Sequence, residues 1–250
     1  PWRSPPTGLH RLPVPLQPWL GVPGGKGLNG RILHRKIKKA ASELSFRRPI
    51  LVTTLPLAAP LIGGLETTRS IYYRVDDFSL WPGYQSAQLS ELESELLRKV
   101  DRVVASAQSL LPQNFAGPKL LLDHGLDTEH FSPPAPPMPP ELRQLRGLGK
   151  PLILYAGLID ERLDLNLLDM LPGTVVLLGR LGDVQLPDTL YRLPPVSYEQ
   201  LPAWLHGADL LVLPYKRNDQ TDSIQPLKIR ELIATGRPVV ATSLPELERL

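Results

Sequence analysis

QPLKIRELIATGRPVVAT, residues 225–242, reads as a helix, a glycine stop and a strand. Pro226 suits the first helical position, where no N–H partner is needed. Gly236 stands where a helix-ending glycine belongs, and Pro238 follows it. The pattern predicts a helix over 226–235 and a strand over 238–241. The apolar run Val239-Val240-Ala241 suggests burial on both faces of that strand, as in a parallel sheet. Lys228 then falls in the first turn of the helix. A cation there is unfavourable by roughly 0.3–1 kcal/mol, because the helix dipole already makes that end positive. An anionic ligand reverses the sign, since helix N-termini bind phosphates. Glu231 is three residues on and projects from the same face. The alternative left open by the spacing is an exposed Lys–Glu ion pair, which contributes little.

Outward from this unit, the same alternation runs along the chain. Strand-like runs precede it at 151–156, 174–178 and 209–213, with helical patterns at 164–171 and 198–206. Before them lies FSPPAPPMPPELRQLRGLGK, residues 131–150, whose proline core reads as a stiff linker. The first part of the chain alternates too. Strands are predicted at Leu9–Val14, Ile50–Thr53, Ser70–Val75, Arg102–Ala105 and Lys119–Leu122, and helices at 29–44 and 88–99. The expected organisation is an α/β half over 1–131, a linker over 132–150 and a second α/β half over 151–250.

Composition narrows the function classes. The 250 residues include no cysteine, which excludes disulfides and thiolate metal sites and fits a reducing compartment. The five histidines show no metal-ligand spacing. No apolar run approaches the roughly 18–20 residues of a membrane span. The net charge of +3 is unevenly placed. Residues 1–50 hold ten Lys/Arg against one acid, Glu43, for a net +9; the other 200 residues hold 18 against 24, for a net −6. The basic end points to a local anionic partner. In GLNGRILHRKIKKAASEL, 27–44, Arg31, Arg35, Lys38 and Lys39 share one side of a predicted helix, while Leu33, Ile37, Ala40, Ala41 and Leu44 share another. Residues 29–44 could dock on an anionic membrane surface, or pack their apolar side on a sheet and leave a solvated basic face.

In parallel α/β sheets, ligands sit beyond the carboxyl ends of strands. Three such loops carry chemistry. In IYYRVDDFSLWPG, 71–83, a strand runs into Asp76-Asp77, which can orient hydroxyls or accept a proton, or simply cap a turn. In LDHGLDTEHF, 122–131, Gly125 permits a tight turn with His124 at its tip. In YAGLIDERLD, 155–164, Gly157 allows close approach and Arg162 offers a fork suited to phosphate, or to Asp160 or Glu161.

VDDFSLWPG, LLRKVDRVVASAQSL, HGLDTEHF, LILYAGLIDERLDLNLL, VVLLGR, VSYEQLPAWLHGADLLVLPY and PLKIRELIATGRPVVAT occur in the order found in GT-B glycosyltransferases of the family 4 type. From about residue 70 to the end, the chain resembles that family, and within it the bacterial transferases acting on polysaccharides. The resemblance implies two Rossmann-like domains facing a cleft, each incomplete here, because the family's first strand and Gly-rich loop should precede Pro1 and its last strands should follow Leu250. It implies a nucleoside-diphosphate-sugar donor, UDP- or GDP-linked, on the second domain and a saccharide or lipid-linked acceptor on the first. On that reading Gly157, Arg162 and Lys228 bind the donor diphosphate and Glu231 its ribose. Val196, in VSYEQ, lies beside the nucleobase, while Asp222 and Ser223 lie by the sugar. Asp76, Asp77 and His124 fall where the chemistry occurs. No metal and no bound cofactor is implied, and no nucleic acid; Asp76 and Asp77 are adjacent rather than spaced as Asp-x-Asp. A cytoplasmic enzyme, peripheral on the inner face of the plasma membrane, fits these expectations. Three departures stand out: Ser223 replaces a glutamate eight residues before Glu231, His124 replaces an asparagine, and Arg162 lacks a neighbouring lysine. An inactive GT-B scaffold, a nucleotide-sugar epimerase and a basic nucleic-acid-binding module are the competing readings; the last lacks interleaved aromatics in the +9 segment.

Overall fold

The computed structural model describes Leu12, residues 25–81 and residues 86–250. Apart from Leu12, the expected strand at Leu9–Val14 lies outside these. The chain forms two compact units, Pro1–Asp123 and His124–Leu250.

In the first unit, helix α1 (Gly25–Glu43) precedes β1 (Ile50–Thr53), followed by β2 (Arg69–Arg74), α2 (Ser86–Lys99), β3 (Arg102–Ala105) and β4 (Lys119–Leu121). The four strands are parallel, in the order β1-β2-β3-β4. Alternation in β2 buries Ser70, Tyr72 and Arg74 on one face. Helix α2 buries Leu89, Leu92 and Leu96, one helical stripe, and Leu92 and Leu96 enter the core that holds Tyr72 and Val103. Arg74 is held there by two 2.8 Å hydrogen bonds donated to Glu93, which also accepts from the Tyr72 hydroxyl at 2.6 Å. A short 3₁₀ turn, Pro56–Leu61, packs under α1, and a Cβ on Gly30 would stand 3.0 Å from Pro60. The apolar side of α1 thus turns inward: Leu33 and Ile37 line a pocket with Leu51, Leu57 and Leu61. Arg31, Arg35, Lys38 and Lys39 remain exposed.

The second unit holds α3 (Thr128–Phe131), α4 (Pro140–Arg146), β5 (Leu152–Ala156), α5 (Leu165–Asp169), β6 (Thr174–Leu178), β7 (Tyr191–Leu193), α6 (Leu201–Gly207), β8 (Leu210–Leu213), α7 (Asp219–Ser223), α8 (Leu227–Ala234) and β9 (Val239–Ala241). All five strands are parallel, in the order β7-β6-β5-β8-β9. Every residue of β5 and β6 is buried, as their unbroken apolar runs require. The chain steps from β5 outward through β6 to β7, then crosses back to β8 on the other side of β5. The loops after β5 and β8 therefore flank a topological switch point, where open α/β sheets bind ligands. Those loops are clasped: Leu163 pairs with Tyr215, the Asp164 N–H donates to the Pro214 carbonyl at 2.8 Å, and the Lys216 N–H donates to the Arg162 carbonyl at 2.7 Å.

Four expectations need correction. The division between units falls after Asp123, earlier than the expected boundary after 131, because Phe131 is fully buried in the second core. The expected linker over 132–150 contains α4, whose Leu142 enters the same core and whose Arg146 bonds the Gly207 carbonyl and Asp209. Proline does not oppose this, since Pro140 occupies the first turn. Pro226 is the N-cap residue of α8 rather than its first helical residue. Finally, β9 is an edge strand with Val240 58% exposed, not a strand buried on both faces.

Candidate functional site

Carboxyl ends of β5 and β6 and the start of α8 meet around a pocket of about 350 Å³. Gly157 and Leu158 line it after β5, Gly179 and Arg180 after β6, Pro195 and Val196 after β7, Leu201 from α6 and Lys228 from α8. Two glycines make the shape possible. A Cβ on Gly157 would stand 2.6 Å from Lys228 Cε and 2.7 Å from the Tyr155 hydroxyl. A Cβ on Gly179 would stand 1.7 Å from the Gly157 carbonyl oxygen. The Tyr155 hydroxyl, in turn, donates to the Leu158 carbonyl at 2.8 Å and braces the loop from below.

Helix α8 has no side-chain cap at its N-terminus, and Gly236 ends it at φ +69. Its first-turn Lys228 is half-buried against the pocket. Burial pushes the Lys228 pKa below the ordinary lysine value; Glu231 opposes this and the Arg162 charge adds to it. Burial likewise pushes the Glu231 pKa above the usual carboxylate value, against the pull of Lys228 and His130. Lys228 therefore senses both Glu231 and Arg162, the Glu231 charge more strongly, and loss of water rather than repulsion is the main penalty on its charge. An anion in the pocket would relieve the strain on Lys228.

Arg162 takes the alternative its sequence left open. Its Nε donates to both Asp160 oxygens at 3.0 and 3.1 Å and its Nη2 to one at 2.6 Å, and its guanidinium lies 5.7 Å from the Tyr215 ring centroid. The Asp160 partnership raises its pKa further. Arg162 acts on Lys228 as a charge, with its fork largely engaged by Asp160, and does not line the pocket.

The other expected site residues are placed as follows. Asp222, in α7, accepts two hydrogen bonds from Arg217, at 3.0 and 2.9 Å. The Ser223 hydroxyl donates to the Gln220 carbonyl at 2.8 Å. Neither lines the pocket. The His124 backbone N–H donates to the Gln225 side-chain oxygen at 3.0 Å, which ties its loop to the segment entering α8. In the first unit, Asp77 caps the turn Phe78–Leu80 by accepting from the Ser79 N–H, and Arg74 reaches it at 3.4 Å. That is the capping alternative for the Asp pair. Asp76 stands beside it at the end of β2.

Some of the pocket was not read from the sequence. Gly179 and Arg180 lie in VVLLGR, a stretch singled out without a role for its last two residues. The Gly-Arg pair directly after a buried strand was the available signal. His130, which does not line the pocket but pulls on Glu231, gave no such signal: its Nε2 lies 2.9 Å from the Tyr198 carbonyl, and its ring stacks on Tyr198 at 4.4 Å. Among the described residues, no group of three or more His, Asp or Glu is placed to hold a metal ion, and no helix is long and apolar enough to cross a membrane.

In structure, this chain is similar to sucrose-phosphate synthase from Thermosynechococcus elongatus, with a TM-score of 0.68 and 17% identity over 94% of this chain and 66% of that one. The chain has the GT-B fold. Anabaena Alr3699/HepE in complex with UDP-glucose matches this GT-B chain with a TM-score of 0.65 and 15% identity, covering 91% and 67% of the two. The catalytic domain of starch synthase IV from Arabidopsis thaliana, bound to ADP and acarbose, matches with a TM-score of 0.60 and 11% identity, covering 91% and 63%. In sequence, the GT-B chain is 27% identical over 223 residues to "Putative teichuronic acid biosynthesis glycosyltransferase TuaH" of Bacillus subtilis (strain 168). That match covers 76% of this chain, which spans about half, 55%, of the relative's length. No family model matches.

Proposed function

We propose that the chain belongs to a glycosyltransferase that moves a sugar from a UDP- or GDP-linked donor to a saccharide or lipid-linked acceptor. One observation carries this reading: Lys228 lies across Gly157 at the uncapped start of α8, in a pocket at the switch point of the second sheet. The likeness to TuaH and to a nucleotide-sugar complex supports it.

The donor diphosphate would lie over Gly157, where backbone can approach closely, with Lys228 and the α8 N–H groups facing it. Glu231, one turn along α8, would accept hydrogen bonds from the ribose hydroxyls. Val196 would border the base. Transfer builds oxocarbenium character on the sugar and negative charge on the departing diphosphate. Fixed positive groups at the leaving group lower that barrier, because they need no reorganisation as charge develops. Lys228 supplies such a charge directly and Arg162 from further off, so the reading needs no metal. Asp76, Asp77 and His124 are proposed for the acceptor and sugar chemistry, Asp77 from its place as the cap of the turn Phe78–Leu80. Asp222 and Ser223 remain proposals for the sugar end, Asp222 once Arg217 releases it.

Calorimetric titration of UDP, GDP and ADP into the chain tests the reading. Micromolar binding of UDP or GDP, abolished in Glu231→Ala and Lys228→Ala, supports it. Binding unaffected by both variants would sink it. A second arm concerns the membrane. The exposed Arg31, Arg35, Lys38 and Lys39 face supports peripheral docking on the cytoplasmic side of an anionic bilayer, and co-sedimentation with anionic but not neutral vesicles is the expected result.

A further inference from the structure

Arg180 has no role in the scheme above, yet it lines the pocket. Its backbone is fixed: its carbonyl accepts from the Ile159 N–H at 2.9 Å, and Leu181 next to it pairs with Ile159. Its side chain is exposed and makes no ion pair among the described residues. A basic side chain rooted on rigid backbone and left unspent at a pocket wall is suited to a ligand.

Its position selects the part of the ligand. Strand β6 lies between β5 and β7. The loop after β5 carries Gly157, under Lys228; the loop after β7 carries Pro195 and Val196. Arg180 follows β6 and so stands on the side of Gly157 away from β8 and Arg162. Beyond it the wall is apolar, formed by Pro195, Val196 and Leu201. An apolar wall with one cationic fork at its border fits an aromatic heterocycle better than a second phosphate. A guanidinium has five donors and no acceptor. It can donate to the keto oxygen of uracil or guanine. Adenine carries an amino donor at the corresponding position and repels that contact.

We propose that Arg180 reads the nucleobase of the donor, selecting a keto base over adenine. This rests on the donor-site reading of the same pocket. The test is titration of UDP, GDP and ADP into the parent chain, Arg180→Ala, Arg180→Lys and Lys228→Ala, with thermal melts to confirm folding. In the parent, UDP or GDP should bind about tenfold more tightly than ADP, the low end of the discrimination by a guanidinium–base contact. Arg180→Ala should remove that preference by weakening the keto nucleotide alone, and Arg180→Lys should restore part of it. Lys228→Ala should weaken all three. Equal weakening of all three by Arg180→Ala would place the guanidinium on a phosphate and overturn the proposal, as would an unchanged preference. Failure of the underlying reading looks different: Lys228→Ala would then leave every affinity unchanged.

Discussion

Lys228 Cε occupies the space that a side chain on Gly157 would need, 2.6 Å from the position of its first carbon. Replacing Gly157 by Ala should push the lysine away and crowd the Tyr155 hydroxyl, at 2.7 Å. Overpacking of this kind costs about 1–3 kcal/mol. The lysine end can swing aside, so the fold should survive while UDP affinity falls at least tenfold. Circular dichroism and calorimetry on Gly157→Ala check both halves.

Gly179→Ala should behave differently. The clash there is with the Gly157 carbonyl oxygen, at 1.7 Å, and backbone between two buried strands cannot step aside. The cost should exceed that of Gly157→Ala, at about 3 kcal/mol or more. A melting temperature lower than that of Gly157→Ala would bear this out; equal melting temperatures would refute it.

Asp160→Asn should destabilise the second unit by about 2–3 kcal/mol. It leaves Arg162, three-quarters buried, without its carboxylate. Chemical denaturation gives the value. Because the Arg162 carbonyl is also part of the clasp between the loops after β5 and β8, nucleotide affinity should drop as well.

The Lys228–Glu231 pair should be a net burden on stability. Burial is the largest influence on both, and it disfavours both charges more than their attraction favours them. For Glu231, whose folded pKa is raised, the penalty is absent below its ordinary pKa and grows as pH rises through the folded value. For Lys228, whose folded pKa is lowered, the penalty is full below the folded value and fades as pH rises towards the ordinary lysine value. Between the two folded values both penalties act. The double variant Lys228→Met/Glu231→Gln should therefore be more stable than the parent at pH 7, by about 1 kcal/mol, and bind no nucleotide. Denaturant melts at pH 5, 7 and 9.5 should show the advantage greatest at pH 7. A less stable double variant would contradict the argument.

The end of the chain was legible because its signals are local. Gly236 at a helix stop and Lys228 in a first turn follow from backbone chemistry within a few residues. The strands Ile50–Thr53, Arg102–Ala105 and Thr174–Leu178 emerged at their expected bounds because their apolar runs are short and cleanly bordered. Helix α4 was hidden by its prolines, which suggest a linker until Leu142 and Leu145 are seen to share a face. Strand β7 was hidden by its length of three residues, one of them an arginine; pairing with β6, not periodicity, defines it. The fate of Arg162 could not be read at all, since Asp160 and an anionic ligand compete for the same fork and only coordinates show which partner it holds. Arg180 was invisible for the opposite reason: what marks it is the pocket wall around it.

The clasp joining the loops after β5 and β8 has a kinetic side. Hydrogen bonds from Asp164 to Pro214 and from Lys216 to Arg162 tie segments about fifty positions apart in the chain into one opening unit. The amide protons of Asp164 and Lys216 should exchange with solvent together, at one rate and with one dependence on denaturant. The ends of the loops after β5 and β8 would then open as one hinged plate rather than as two independent strings.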